Sequence, residues 1–216
     1  MFKYILLDLD GTLLDTCEGI KNSVRYALEA FGKPVPAESE MKRYFGPPLC
    51  ESFAEFDGFE GEEVEAAVRK FRERYEKIGV TEYGFFEDLP KSLEALKNAG
   101  CTLAVATSKP EHTARYILKH AGVDGFFDYI GGADDTANRK KKADVISYVI
   151  ERLGITDKSL VLMVGDRLHD VEGAHENGIK CVGLLCGYGS REELEACGAD
   201  YIAEHISDIA GLLKKE

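Results

Sequence analysis

The stretch KYILLDLDGTLLD at residues 3–15 decides the fold. It opens on a short apolar run, Tyr4 to Leu7, ends that run on Asp8, and then brings a second carboxylate, Asp10, followed by Gly11 and Thr12. An apolar run without polar alternation reads as a strand buried on both faces, which is the state of strands inside parallel sheets. Comparable runs recur at TLAVAT (102–107), YIGG (129–132), LVLMVGD (160–166), CVGLL (181–185) and YIA (201–203). Helical patterns lie between the later runs, at Ser92 to Ala99, Glu111 to Ala121, Ala143 to Leu153 and Glu192 to Cys197. In the third of these, Val145, Ile146, Val149 and Ile150 share one face.

Strand and helix in alternation predict an α/β protein, with a Rossmann-like parallel sheet core and helices on both faces. Residues 15–83 break the rhythm. Ile20, Val24, Ala27 and Phe31, then Val64, Val68, Phe71 and Tyr75, recur at helical spacing with no convincing strand among them. The expected organisation is therefore a core of residues 1–14 and 84–216 with an all-helical cap domain at 15–83. An insertion after the first strand is expected above that strand's C-terminal end, where α/β sheets bind ligands.

Bulk composition narrows the function classes. At 216 residues, 44% hydrophobic and 31% charged, the chain has the makeup of a folded globular protein. A net charge of -12 repels polyanions, so neither nucleic acid nor an anionic membrane surface is an expected partner; a small phosphate ester is. Six scattered cysteines without a CxxC pair read as reduced thiols. No apolar stretch approaches the ~20 residues that span a bilayer. The expected location is the cytoplasm; whether the chain is a monomer or a homodimer is not written in these features.

Polar signals gather at the ends of the expected strands: DLDGT at 8–12, Thr107, the basic run Arg139 to Lys142, and GDRLHD at 165–170. In a parallel sheet these ends converge. Asp8, Asp10, Asp166 and Asp170 would then share one crevice, where unit like charges ~4 Å apart repel by about 4 kcal/mol at an effective dielectric of ~20. A hard cation with oxygen ligands relieves that repulsion, and Mg²⁺ suits a few carboxylates plus a substrate phosphate. No His/Cys set has zinc spacing. With phosphate charge neutralised, Asp8 can attack phosphorus as a nucleophile, while Asp10 serves as acid for the leaving oxygen and base for water.

DLDGTLLD, a Thr ending the second core strand, a downstream Lys and GDxxxD together resemble the four motifs of the haloacid dehalogenase superfamily, in the group similar to phosphoglycolate phosphatase with a helical cap of the first type. The resemblance spans nearly the whole chain. It implies Asp8 as nucleophile and metal ligand, Asp10 as general acid/base and ligand through its backbone carbonyl, and Asp166 and Asp170 as further metal ligands. Thr107 and a lysine would bind the phosphoryl group, with Gly11, Ser108 and Arg43 as further substrate contacts. Spacing to ADVI selects Lys142 as the lysine; Lys140, which a gapless match to the commoner form of the motif would select, is the alternative. His169 is either an orienting group for a carboxylate or metal-bound water, or a plain loop histidine.

The Asp at position 10 argues for phosphate esters, since dehalogenating and phosphonate-cleaving relatives replace it. The expected activity is Mg²⁺-dependent hydrolysis of small phosphate monoesters such as phosphoglycolate, a sugar phosphate or a nucleotide. A phosphosugar mutase uses the same carboxylates and is the alternative. A phosphoacceptor signalling module is disfavoured, because such modules are smaller, lack a cap, and carry the acceptor Asp on a middle strand.

Overall fold

A computed structural model describes residues 2–134 and 136–213. The chain divides into two compact units, Met1–Asp15 with Phe85–Glu216, and Thr16–Gly84.

The first unit is an α/β layer structure. Its strands are β1 (Tyr4–Leu7), β2 (Thr102–Pro110), β3 (Tyr129–Ala133), β4 (Val161–Gly165), β5 (Lys180–Leu184) and β6 (Tyr201–Ala203). They form one six-stranded sheet in the order β3-β2-β1-β4-β5-β6, with every pairing parallel. In register, Leu7 of β1 sits between Val105 of β2 and Val164 of β4. Winding runs outward from β1 through β2 to β3, then returns to β4 on the opposite side. The strand order therefore reverses between β1 and β4, the point at which open α/β sheets bind ligands beyond their strand ends.

Apolar runs without alternation are explained by burial on both faces: Ile5, Leu6, Leu7, Val105, Ala106, Leu162, Met163 and Val164 have no exposed surface. On the face that carries Leu6, Ala104 and Met163, helix α6 (Lys142–Arg152) contributes Val145, Ile146, Val149 and Ile150 to the core, joined by Val171 and Ala174 of α7 (Leu168–Glu176). Helices numbered in chain order around them are α4 (Leu89–Asn98), α5 (Glu111–His120), α8 (Arg191–Ala196) and α9 (Ile209–Leu212). Helix α4 starts three residues before the expected Ser92, because Asp88 caps it by accepting the Lys91 N–H and Pro90 fits its first turn. Pro110 closes β2 and directly precedes α5, which starts at the expected Glu111.

The second unit comprises α1 (Cys17–Ala30), α2 (Leu49–Asp57) and α3 (Glu62–Tyr75), with 3-10 turns at Glu38–Tyr44 and Gly79–Thr81. Val24, Ala27 and Leu28 of α1 and Val68, Phe71 and Tyr75 of α3 are its buried stripes. Phe31 lies past the end of α1 and is exposed, so the apolar stripe of that helix stops one turn earlier than its spacing suggests. Among the described residues, no helix is long and apolar enough to cross a membrane.

Candidate active site

Asp8 is the first residue beyond β1, and its N–H still donates to Val164 O of β4 at 2.9 Å, so the nucleophile candidate is held by the sheet ladder itself. The chain then turns sharply at Gly11, whose φ of +78° is a left-handed conformation. A Cβ there would lie 2.2 Å from Asp166 Oδ2, so only glycine lets the loop after β1 close on the loop after β4. Thr12 locks the two together, its hydroxyl donating to Asp166 Oδ1 at 3.1 Å.

Asp166 follows β4 directly, and its other oxygen, Oδ2, accepts the Tyr188 N–H at 2.8 Å. Asp170 stands in the first turn of α7 and splits its two oxygens between tasks. Oδ2 accepts the N–H groups of Asp166 and Arg167, both at 3.1 Å, which satisfies donors that the helix start leaves open. Oδ1 faces Lys142, whose Nζ lies 2.8 Å from it and 2.8 Å from Asp8 Oδ1. The Lys142 ammonium donates a well-directed hydrogen bond to Ala106 O at 3.2 Å. Asp8 Oδ1 and Asp170 Oδ1 are buried, and despite the close ammonium neither accepts a well-aligned hydrogen bond.

A lysine in the first turn of a helix opposes the helix dipole. Lys142 is kept there by two carboxylates. Burial pulls its pKa down, but Asp170 and Asp8 together outweigh that and hold it above the ordinary lysine value. Burial pushes the Asp166 carboxyl well above the usual carboxylate range, and the charges of Asp170 and Asp8 push the same way. Asp170 is raised by burial as well, with Lys142 opposing the rise.

Ligand oxygens of Asp8, Asp166 and Asp170 lie within 4.8 Å of one another, all three residues being buried. Three carboxylates against one ammonium leave a net deficit of positive charge, and like charges at that spacing repel by about 3.5 kcal/mol per pair at an effective dielectric of ~20. Three buried carboxylates offering only oxygens, faced by the Lys142 ammonium, fit a hard divalent cation.

The other residues expected at the site fall as follows. The Asp10 carboxylate is not in the three-carboxylate cluster; it meets Lys109 Nζ at 3.1 Å. Thr107 is buried in β2 where its regular pairing with β3 breaks, and Ser108 beside it is exposed. Of the two lysines left open by spacing, Lys142 reaches Asp8, whereas Lys140 is exposed, as is Lys141. Arg139 is no solvated charge: its guanidinium lies 3.6 Å over the Tyr148 ring, donates to Gly132 O and pairs with Glu111 at 3.2 Å. His169 is largely exposed, 3.8 Å from Glu172 on the same helix. Arg43 belongs to the helical unit, where it donates to the Tyr44 hydroxyl, pairs with buried Asp57 at 3.6 Å and lies over the Phe56 ring.

Sequence reasoning overlooked two contributors. Lys109 reads as an ordinary turn lysine, with no signal apart from its neighbour Thr107. The CGYGS loop at 186–190 was not connected with the site, although glycines on either side of Tyr188 two residues past a strand are a sign of close backbone approach. A Cβ at Gly187 would meet Asp166 Cβ at 2.4 Å, and one at Gly189 would meet Asp166 O at 2.0 Å.

An open parallel sheet with acidic strand ends converging at its switch point places the chain among α/β proteins with a ligand crevice there, and comparison narrows that class. Residues 5–184 match the model of the haloacid dehalogenase-like hydrolases, and the chain belongs to that family. A 5'-nucleotidase of Pseudomonas aeruginosa is 41% identical over 208 residues, covering 96% of this chain and 92% of that one. The tyrosine-protein kinase PtkA of Mycobacterium tuberculosis is 40% identical over 191 residues, which are 88% of this chain and 65% of that one. The crystal structure of a predicted phosphatase from Clostridium acetobutylicum superposes with a TM-score of 0.93 at 36% identity, over 100% of both chains. The chain is an enzyme, a phosphatase of the haloacid dehalogenase-like family.

Proposed function

We propose that this phosphatase hydrolyses small phosphate monoesters in two steps through a phosphoryl group carried on Asp8. The observation that carries the reading is Asp8 itself, fixed by β4 and set 2.8 Å from the Lys142 ammonium at the sheet's switch point. In the first step a carboxylate oxygen of Asp8 attacks phosphorus, the bond from phosphorus to the ester oxygen breaks, and Asp10 gives that oxygen a proton. In the second, water attacks phosphorus, Asp10 takes its proton, and the bond to Asp8 breaks to release inorganic phosphate. Lys142 and the Thr107 hydroxyl would hold phosphoryl oxygens, with the loop at Gly11 and Ser108 beside them.

Asp8, Asp166, Asp170 and the Asp10 carbonyl would hold Mg²⁺, which supplies charge neutralisation for the incoming phosphate. The helical unit Thr16–Gly84, with Arg43, is assigned to substrate selection, and its modest size suits small esters. A nucleoside monophosphate heads the candidate substrates, since the nucleotidase relative shares 41% of its residues with this chain. The name of the PtkA relative favours a second reading, transfer to an acceptor other than water.

Phosphate release from nucleoside monophosphates, sugar phosphates, phosphoglycolate and p-nitrophenyl phosphate, with Mg²⁺ and with EDTA, tests both. Metal-dependent release stoichiometric with ester loss is expected. Ester consumption without free phosphate would favour transfer, to a sugar hydroxyl in a mutase or to a protein hydroxyl.

A further inference from the structure

Lys109 has no role in the reaction as just described, yet the fold has gone to some length to place it. Pairing between β2 and β3 runs regularly to Thr107 opposite Gly132 and resumes at Pro110 opposite Ala133, so Ser108 and Lys109 are extra residues on one strand. A bulge of this kind re-aims side chains at the end of a strand. The Lys109 backbone is fixed further by its N–H donating to Thr107 Oγ1 at 3.2 Å. Its side chain is only 8% exposed, whereas a turn lysine ordinarily keeps its head in water. The ammonium ends 3.1 Å from Asp10 Oδ2. Desolvating an ammonium is costly unless an anion meets it, and here the anion is Asp10.

The two carboxylates of DLDGT thus have separate cations, Lys142 on Asp8 and Lys109 on Asp10. Lys142 comes from the start of α6, while Lys109 comes from the β2 bulge. We infer that Lys109 is a positioning residue for Asp10 in the second step, fixing its carboxylate where it takes the proton of the water that attacks phosphorus. This rests on the two-step reading with Asp8 as phosphoryl carrier.

Lys109→Met keeps the buried stem and removes the charge. With 2,4-dinitrophenyl phosphate, whose leaving oxygen needs no proton, the first step proceeds and the second limits turnover. Lys109→Met is expected to lower kcat by about tenfold or more, a fraction of the 10² to 10⁴ that general base catalysis supplies. It should also raise the fraction of enzyme trapped as phosphoprotein on acid quenching, with a matching burst of dinitrophenol. Lys109→Arg, which keeps the charge, should restore most of kcat.

A rise in KM at unchanged kcat, with no extra phosphoprotein, would make Lys109 a substrate contact and overturn the inference; so would wild-type kinetics. Asp10→Asn separates the two claims. If it accumulates phosphoprotein and Lys109→Met does not, Lys109 alone is misassigned. If no protein, wild type included, ever carries the phosphoryl group, the two-step reading fails. Should Lys109→Met not fold, Lys109→Gln carries the same comparison.

Discussion

Replacing Lys142 with methionine removes the ammonium that faces Asp8 and Asp170 while preserving most of its buried volume. Each contact, at 2.8 Å, is worth about 6 kcal/mol of Coulomb attraction at an effective dielectric of ~20. Most of that is offset in the wild type by the cost of taking the ammonium out of water. What the variant retains is an uncompensated group of buried carboxylates, and breaking a buried pair from one side costs about 3–5 kcal/mol. For a chain of this length, about 2–4 °C of Tm accompanies each kcal/mol, so a fall of about 6–20 °C is expected. Thermal melting in EDTA is the assay, with Lys140→Met as the matched control. Lys140 is exposed, and its variant should stay within about 0.5 kcal/mol of wild type. Adding Mg²⁺ should recover part of the loss in Lys142→Met without restoring turnover. Equal stability of the two variants in EDTA would refute the reasoning, because the charge balance of the site would then not depend on Lys142.

Gly187→Ala forces a Cβ to within 2.4 Å of both Asp166 Cβ and Gly11 O, so the Mg²⁺ concentration giving half-maximal turnover should rise at least tenfold, measured by metal titration of activity. In the helical unit, Arg74 grips Glu82 with two bonds of 2.7 and 2.9 Å, and this holds the Glu82 carboxyl below its usual range. A depressed acid stabilises the fold above its unfolded pKa of about 4.3 and loses that contribution as pH falls through its folded value. Urea melts of Glu82→Gln should therefore show lower stability than wild type at pH 7 and a gap that narrows below pH ~4. Arg43→Met removes the cation beside the Asp57 carboxylate, whose pKa burial already raises, and leaves it the Tyr44 hydroxyl; Tm should fall by a few degrees in a thermal melt.

The sheet was legible because its strands are buried on both faces, so residues such as Ile5, Leu7 and Val164 give unbroken apolar runs that helices cannot imitate at that length. Asp8 and Asp166 were legible for the same reason, each being the first polar residue after such a run. Spacing to ADVI favoured Lys142 over Lys140, but both lie within one turn of a helix start and the direction of the chain entering α6 is what tells them apart. Lys109 was hidden by the bulge, a pairing irregularity between β2 and β3 that leaves no mark in hydrophobic pattern. The part played by the loop around Tyr188 was hidden because backbone N–H groups carry no residue type. The setting of Arg139 was hidden because its partners Tyr148 and Glu111 lie on separate helices.

The central claim is that Asp8 carries the phosphoryl group. Acid quenching during turnover, borohydride reduction of the acyl phosphate and peptide mass spectrometry would locate it directly. The account predicts homoserine at position 8 in the wild type and unmodified asparagine there in an inactive Asp8→Asn variant. Steady phosphate release with Asp8 never modified, or turnover surviving in Asp8→Asn, would contradict it.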